Sequence, residues 1–341
     1  MPEMRLNTVT REWVVIEKNP GIGPTDFVGI KKDKEVPEVG GICHFCPGNE
    51  YMIPEEIDRI DGRDGWKIRV VQNKFSRLSE AGDQLRWGNK IHRGMNAVGF
   101  HELIVETPEH DLQTATMPNS QLKALIEMYK FRFIEFYKDP RVEHVVVFKN
   151  KGLNSGTTCD HALSQIVGIP IVPLEIRDRT ESYMRFYDNT GECLMCKMLY
   201  EEIQSGERII CNTDHFVSFI PYAAMSPFHV WIFPKRHSGS FAEITNEETM
   251  DLAINLKTTM YKIAVGLDNP DYNYAIRSGK PSNAESKFEH WYLTIVPRVG
   301  YLSGFEIACG IHVNPIQPEL SAKFLREVPL PNPQEHKELE T

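Results

Sequence analysis

Two cysteine pairs, each with two residues between its members, constrain this 341-residue chain more than any other sequence feature. The pairs are Cys43/Cys46 and Cys193/Cys196. Such spacing lets two thiolates of one tight turn face the same Zn²⁺ ion, which then needs two further ligands for a tetrahedral site. Seven cysteines make a poor disulfide framework. A redox pair of the thioredoxin type is disfavoured too, because both pairs follow glycine-containing turns rather than strands.

Histidines recur in the same order after each cysteine pair, which favours zinc over free cysteines and ordinary surface histidines. In each half, the cysteine pair is followed by a proline-containing strand end that leads to a histidine. A second histidine then lies next to another strand. We therefore predict two copies of one α+β unit and two Zn²⁺ ions per chain. The predicted ligand sets are Cys43, Cys46, His110 and His161 for the first ion, and Cys193, Cys196, His237 and His290 for the second.

Each half of the chain is predicted to contain strands and one long helix. The expected strands are Lys67–Gln72, Glu102–Glu106, His144–Lys149, Phe216–Ile220, His229–Phe233, Tyr272–Ile276 and Trp291–Val296, and the expected helices are Ser120–Tyr137 and Glu247–Leu267. Two prolines followed by charged residues in Ile169–Tyr187 mark the end of the first unit. We predict modules at 1–180 and 181–329, and an extended charged tail at 330–341.

Charge and hydropathy exclude two classes of partner. A net charge of -9, without a long basic run, argues against a nucleic-acid partner. No stretch approaches the roughly 20 apolar residues that cross a bilayer, and the first residues lack the apolar segment of a secretory signal. We therefore expect a soluble, cytoplasmic protein without a membrane partner.

The segment FKNKGLNSGTTCDHALSQIVGIPIVP, Phe148–Pro173, resembles the active-site segment of the galactose-1-phosphate uridylyltransferase family. In that family a strand leads through a Gly/Ser-rich loop to His-x-His-x-Gln. Other segments that resemble the family, in its order, are TREWVVI, RVVQNKF, ETPEHD, FIPYAAMSPFHVWIFPKRH, EHWYLTIVPR and GFEIACGIHVNPIQPE, between about Arg11 and Leu325. The second half is most similar to the plant-type ADP-glucose phosphorylase branch, because Tyr292 stands where galactose enzymes have another histidine.

The resemblance implies two tandem histidine-triad-like modules, each an antiparallel sheet with a long helix, and an overall α+β fold. It also implies a homodimer, two zinc ions and a ping-pong transfer of a nucleotidyl group from a nucleotide sugar to a phosphate-bearing acceptor. In His-x-His-x-Gln the first histidine binds zinc, the second attacks the α-phosphorus, and glutamine stabilises the nucleotidyl-histidine. These positions are His161, Leu163 and Gln165 in this chain.

Leu163 departs from the family at the position of the nucleophile. Imidazole can attack phosphorus and later leave, whereas leucine can do neither. Ser164 and Cys159 are the nearby alternatives, and neither is an obvious substitute. A second departure is Pro20, where the family has a phosphate-binding arginine; Lys18 could compensate.

The nucleotide-binding residues are better retained, because glycines permit close approach to phosphate and amide or hydroxyl groups position it. By position, the resemblance assigns Asn73, Asn150, Gly156, Thr158 and Gln165 to the nucleotide, with Gly304 and Phe305 as a wall supplied by the other subunit. Ordinary loop hydrogen bonding is the alternative for Asn150 and Gln165. We expect Trp66 and Phe75 to be core residues rather than base-stacking platforms.

The remaining cysteines and histidines are given structural interpretations. Cys159, Cys211 and Cys309 are expected to be buried and apolar rather than reactive. Strand, loop or tail positions without a chemical role are expected for His44, His92, His101, His144, His215, His229, His312 and His336.

Two functional hypotheses follow. The first is an enzyme that transfers UMP or AMP to a phosphate-bearing acceptor by direct displacement, without a histidine intermediate. The second is a zinc-stabilised pseudoenzyme that binds a nucleotide or a protein partner. Zinc ligands contribute to folding and would be retained for that reason even if catalysis were lost. The residues leave uridine and adenosine open as bases; Tyr292 favours adenosine through the resemblance only.

Overall fold

The computed structural model describes residues 1–18, 21–30, 42–53 and 55–331. The strands in these ranges are β1 Glu3–Leu6, β2 Trp13–Ile16, β3 Glu56–Asp61, β4 Trp66–Gln72, β5 Arg86–Asn89, β6 His92–Met95, β7 Phe100–Val105, β8 His144–Lys151, β9 Leu163–Ile169, β10 Ile209–Asn212, β11 Phe216–Phe219, β12 Val230–Pro234, β13 Tyr272–Arg277, β14 Tyr292–Pro297 and β15 His312–Asn314. The helices are α1 Asn119–Phe136, α2 Leu174–Thr190, α3 Leu194–Ser205, α4 Asn246–Gly266, α5 Gly304–Cys309 and α6 Pro318–Glu327.

A ten-stranded sheet with the order β10-β11-β12-β14-β13-β8-β9-β7-β4-β3 organises the described residues. Its strand pairs are antiparallel. The order reads as two halves of five strands, with β8 and β13 at the centre and each remaining strand matched by one at the same distance on the other side. The two halves thus share one continuous sheet in an α+β fold, as predicted, and each half has antiparallel strands and one long helix.

Helices α1 and α4 pack against each other and against one face of this sheet, where the main apolar core lies. Strand alternation divides the side chains between the two faces. In β9, for example, Ser164 and Ile166 are buried toward the helices, whereas Leu163 and Gln165 are only half-buried on the opposite face. The face away from α1 and α4 is therefore where a ligand can reach the first half of the sheet. In the second half, α2 and α3 pack on this face and form a smaller apolar core.

The predicted strands and helices are confirmed, with ends that differ by at most two residues. Helix α2 was not predicted, because the prolines of Ile169–Tyr187 were taken as a break; they precede the helix, and Pro173 occupies its N-cap. Helix α2 also crosses the predicted boundary between 180 and 181, which remains a prediction. The tail beyond 331 lies outside the described residues. None of the described helices has the length and apolar character required to cross a bilayer.

A buried ion pair lies beneath the first half of the sheet, on the side of α1. Lys149 Nζ is 2.5 Å from Glu106 Oε2, and the two side chains are 1% and 0% exposed. Lys149 also donates to Thr114 Oγ1 at 2.9 Å. Burial acts to lower the pKa of Lys149, but the Glu106 carboxylate outweighs it and the net shift is upward. Lys149 therefore stays charged in the folded protein.

We predict that Lys149→Met lowers the free energy of unfolding by about 3–5 kcal/mol, because it removes one member of a buried ion pair and leaves Glu106 buried without its cationic partner. Urea denaturation followed by circular dichroism measures the change. The double substitution Lys149→Met/Glu106→Leu should recover much of the loss. Lys123→Met is the matched control: it breaks a partly exposed pair with Glu127 and should cost less than about 1 kcal/mol. Equal losses for the two single variants would contradict the prediction.

Candidate functional site

The first candidate metal group brings together Cys43, Cys46, His110 and His161, as predicted. The two cysteines lie in one turn, in which the Cys46 backbone N–H donates to the Cys43 carbonyl. Cys43 Sγ is 3.5 Å from His161 Nδ1, and Cys46 Sγ is 3.4 Å from His110 Nδ1. The four donor atoms all lie within 4.8 Å of one another.

The second candidate group brings together Cys193, Cys196, His237 and His290, also as predicted. Cys193 is the N-cap of α3 and Cys196 lies in its first turn, so the start of the helix presents both thiols to one side. Cys196 Sγ is 3.2 Å from His237 Nδ1 and 3.3 Å from His290 Nδ1.

Both groups have the geometry of a tetrahedral metal site. Ligand bonds of about 2.3 Å to sulfur and 2.1 Å to nitrogen place these atoms about 3.6 Å apart in a tetrahedron. Backbone carbonyls accept hydrogen bonds from the Nε2 atoms of His161, His237 and His290, at 2.8, 2.8 and 3.0 Å. These bonds leave Nδ1 unprotonated and fix the orientation of the ring, as second-sphere partners of metal ligands do. The residues therefore fit two metal ions per chain.

The sequence repeat is also a structural repeat. His161 Nε2 donates to the carbonyl of Thr107, three residues before His110. In the same way, His290 Nε2 donates to the carbonyl of Pro234, three residues before His237. Each of these histidines precedes the first residue of a strand by two positions, Leu163 in β9 and Tyr292 in β14. The two halves thus build the same arrangement of metal ligands and following strand.

The predicted nucleotide loop connects β8 to β9. Gly152 and Gly156 have φ angles of 82° and 95°, which favour glycine. A Cβ placed on Gly156 would meet no atom within 4 Å, so the loop surface is open there. Thr158 is exposed on the same loop.

Asn150 is held in place by the second half of the chain. Its Oδ1 accepts a 2.6 Å hydrogen bond from Asn273 Nδ2, and that amide also donates to the Ser155 carbonyl of the loop. Arg298 in turn donates to Asn273 Oδ1 at 2.5 Å. Asn150 therefore has a structural hydrogen bond and still lies at the edge of the open loop.

Asn73 and Gln165 are brought together by His101. The His101 Nε2 atom is 2.8 Å from Gln165 Oε1 and 2.9 Å from Asn73 Nδ2. Burial lowers the pKa of His101, which keeps the imidazole neutral at pH 7. Sequence reasoning gave His101 no role; the alternation of β7, which puts it on the face opposite the buried Glu102, is the signal that could have identified it.

Leu163 begins β9 beside the nucleotide loop and faces the same side of the sheet as Gln165. Ser164 cannot replace a nucleophile there, because it is fully buried and its hydroxyl accepts a 2.7 Å hydrogen bond from Tyr129. Burial raises the pKa of Cys159 to about 11, so its thiol is protonated at neutral pH. Neither of the alternatives considered from sequence has the properties of an activated nucleophile.

Other residues that were predicted to contact the nucleotide lie away from this loop or have other partners. Gly304 and Phe305 begin the short helix α5 and are exposed, and no hydrogen bond or ring contact in the described part of the chain joins them to Asn150 or Gln165. Lys18 forms an ion pair with Glu3 at 2.6 Å. Pro20 and His336 lie outside the described residues.

Three predictions of core residues have different outcomes. Trp66 is buried, as predicted, and its indole N–H donates to Glu50. Phe75 is 80% exposed, so its prediction was wrong; it lies in a turn after β4, where the apolar pattern of the strand has ended. Cys309 is exposed because α5 lies on the surface, whereas Cys159 and Cys211 are half-buried.

Comparison with known proteins identifies two family models along the chain. The N-terminal domain of galactose-1-phosphate uridyl transferase matches residues 1–173, and the C-terminal domain matches residues 179–319. The chain is 33% identical to ADP-glucose phosphorylase of Arabidopsis thaliana, over 96% of this chain and 93% of that protein. It is 26% identical to galactose-1-phosphate uridylyltransferase of Thermotoga maritima, over 96% and 98%.

Solved structures show the same similarity. A crystal structure of the Arabidopsis ADP-glucose phosphorylase with bound ADP-glucose superposes with a TM-score of 0.81 at 31% identity, over 97% of this chain and 100% of the other. A uridylyltransferase structure superposes with a TM-score of 0.74 at 24% identity, over 96% and 97%, which supports the fold.

We predict that the purified chain holds two metal ions, and that Cys46→Ser and Cys196→Ser each hold one, because removing one thiolate of four disrupts a tetrahedral site. Elemental analysis by mass spectrometry measures the stoichiometry. Cys309→Ser is the matched control and should retain two ions, since Cys309 belongs to neither group. Two ions in Cys46→Ser would show that the first group is assigned incorrectly.

Proposed function

Because the chain belongs to the galactose-1-phosphate uridyl transferase family, we propose that it binds a nucleotide sugar at the loop between β8 and β9 and one zinc ion at each Cys₂His₂ group. The observation that carries this proposal is the polar array of Asn150, Gln165, His101 and Asn73 beside an open glycine loop. The named function of the Arabidopsis relative favours an adenosine nucleotide.

The zinc ions would act as structural ions. Each group offers four protein donors, which leaves no coordination position for water or substrate. In the first half, zinc would fix His161 and thereby the start of β9, where Leu163 and Gln165 face the nucleotide loop. Metal binding would thus position the site without entering the reaction.

The residues of the site would bind and orient the nucleotide. The exposed loop at Gly156 and Thr158 permits close approach of the phosphates. Gln165 and Asn150 would supply amide hydrogen bonds, and neutral His101 would fix the orientation of the Gln165 amide. Amides bind phosphate without the strong charge of lysine or arginine, so they position the group rather than neutralise it.

Leu163 rules out a nucleotidyl-histidine at its position, because its side chain has no lone pair to attack phosphorus. Any transfer at this site would be a single displacement. An oxygen of the phosphate acceptor would form a bond to the α-phosphorus as the bond from that phosphorus to its bridging oxygen breaks, and the sugar phosphate would leave with the electron pair. Such a step requires both substrates in line at once.

A second candidate is a nucleotide-binding protein without catalytic activity. It is favoured by Leu163, Ser164 and Cys159 together: the first has no nucleophilic atom, the second is buried, and the third has a raised pKa. In this case the zinc groups would be retained because they stabilise the fold.

We also propose a homodimer in which the segment around α5 covers the nucleotide loop of the other subunit. This segment exposes several large apolar side chains close together in sequence. They are Tyr301, Leu302, Phe305 and Ile307, which are 84%, 62%, 53% and 75% exposed. Such a cluster is typical of an interface.

The first experiment is calorimetric titration of the zinc-loaded protein with ADP-glucose and UDP-glucose, followed by product analysis with inorganic phosphate as acceptor. Binding with formation of a nucleoside diphosphate and sugar phosphate is expected for the enzyme. Binding without product supports the inactive candidate. Absence of binding to either nucleotide sugar would overturn the proposed function.

We predict that Leu163→His introduces a covalent nucleotidyl-enzyme, because it places imidazole two residues after His161 and beside Gln165. Incubation with ADP-glucose should add the mass of one AMP moiety to the intact chain, as measured by mass spectrometry. The unsubstituted chain and Leu163→Ala should remain unlabelled. Labelling of the unsubstituted chain would show that another residue serves as nucleophile.

A further inference from the structure

The second half of the chain contains a cavity of about 300 Å³ between helix α2 and the ends of β13 and β14. We propose that this cavity is a second binding site, distinct from the loop between β8 and β9, and that its ligand is a phosphate monoester of a small sugar or nucleoside. A volume of this size is at the lower end of ligand-binding pockets, about 300–1,000 Å³.

The cavity occupies the position in the second half that the nucleotide loop occupies in the first. In both halves a central strand, β8 or β13, runs into a glycine-containing turn and then to a metal-binding histidine. The turn after β13 is Ser278-Gly279-Lys280, and all three residues line the cavity. Because β8 and β13 are neighbours at the centre of the sheet, the two loops lie at opposite ends of this strand pair.

Arg277 stands at the position that corresponds to Asn150. Strand register supports the match: Lys149 pairs with Ser164, which puts Asn150 opposite Leu163, and Arg277 pairs with Tyr292. An arginine in place of an amide changes the chemistry from neutral hydrogen bonding to anion binding, since guanidinium can bind phosphate through two parallel hydrogen bonds.

The charge of Arg277 is available to a ligand. Within the described ranges its guanidinium has no ion pair and no hydrogen bond, although it is half-buried in the cavity wall. Burial, followed by the charges of Arg277 and Lys280, lowers the pKa of the adjacent His144 to about 4. A half-buried cation without a counterion favours an anionic ligand.

The other cations of the cavity have partners of their own. Arg179 lies 3.7 Å from the carboxylates of Glu12 and Glu175, and Arg177 donates to the Val172 carbonyl at 3.3 Å. Lys280 forms an ion pair of 2.6 Å with Glu143. Glu181 accepts from Arg185 at 3.3 Å. Glu289 is buried next to Gly279, and its Oε2 atom has no hydrogen-bond partner within the described residues. Among the described residues that line the cavity, Arg277 is therefore the cation available to bind the phosphate.

Apolar side chains line another part of the cavity. Helix α2 contributes Ile176, Tyr183 and Met184, and β14 contributes Tyr292. Tyr292 is itself buried and stacks on Phe233 with ring centroids 4.7 Å apart, so its position is fixed. A cation together with aromatic and aliphatic groups matches a phosphate attached to a sugar or nucleoside ring better than a free inorganic anion.

Calorimetric titration of the zinc-loaded full chain with AMP and with glucose 1-phosphate tests the proposal. For AMP we expect two binding events per chain. Arg277→Gln should weaken one of them by about 10- to 100-fold, because a charge-assisted hydrogen-bond pair is lost, and Arg277→Lys should weaken it less. Thr180→Trp, which fills the cavity from α2, should abolish the same event without changing its charge. Arg86→Gln, in the separate sheet of β5 and β6, is the control and should change neither event.

The outcomes separate this proposal from that for the first half. Loss of one event in Arg277→Gln, with the other lost in Gln165→Ala, supports both sites. A single event that is lost only in Arg277→Gln supports the cavity and contradicts nucleotide binding at the loop. Unchanged binding of both ligands in both Arg277→Gln and Thr180→Trp, with thermal unfolding midpoints that show folded protein, overturns the second site.

Discussion

The antiparallel pairing of β8 with β13 is the contact on which the rest of the molecule depends. It joins two five-stranded halves into one sheet, from Tyr272 opposite Lys151 to Ile276 opposite Val147. The same pairing sets Asn273 opposite Asn150 and so links the second half to the nucleotide loop of the first. On the other face, the Tyr129 and Tyr274 hydroxyls lie 2.6 Å apart, which joins helix α1 of one half to a strand of the other. A shift in this register would alter both faces together.

The sequence was sufficient to predict the metal groups and the long elements, for physical reasons. Ligand chemistry allows few residue types, so cysteine pairs with repeated histidines remain recognisable at any separation along the chain. The long helices α1 and α4 and the buried strands have enough apolar residues for their periodicity to be clear. Helix α2 was missed because its residues are mostly polar and only Tyr183 is buried, so the apolar pattern is weak.

Side-chain environments set by distant parts of the chain could not be predicted in this way. His101 was unremarkable in sequence, yet the pairing of β7 with β9 places it beside Gln165. Phe75 has the large apolar side chain of a core residue, but it lies in a turn after β4 and is exposed to solvent. Such outcomes depend on which strands become neighbours, and single-sequence patterns do not contain that information.

The repeat of one arrangement explains how the two halves share their candidate metal ligands and differ in the side chains beside them. A metal group contributes to folding wherever it occurs, so the loss of any ligand has a direct cost in stability. The residue two positions after the last histidine of each candidate metal group faces the side of the sheet away from α1 and α4. It is leucine in one half and tyrosine in the other, and the neighbouring strand has asparagine in the first and arginine in the second. The framework of candidate metal ligands is thus shared, while the chemistry of this face of the sheet is free to differ between the halves.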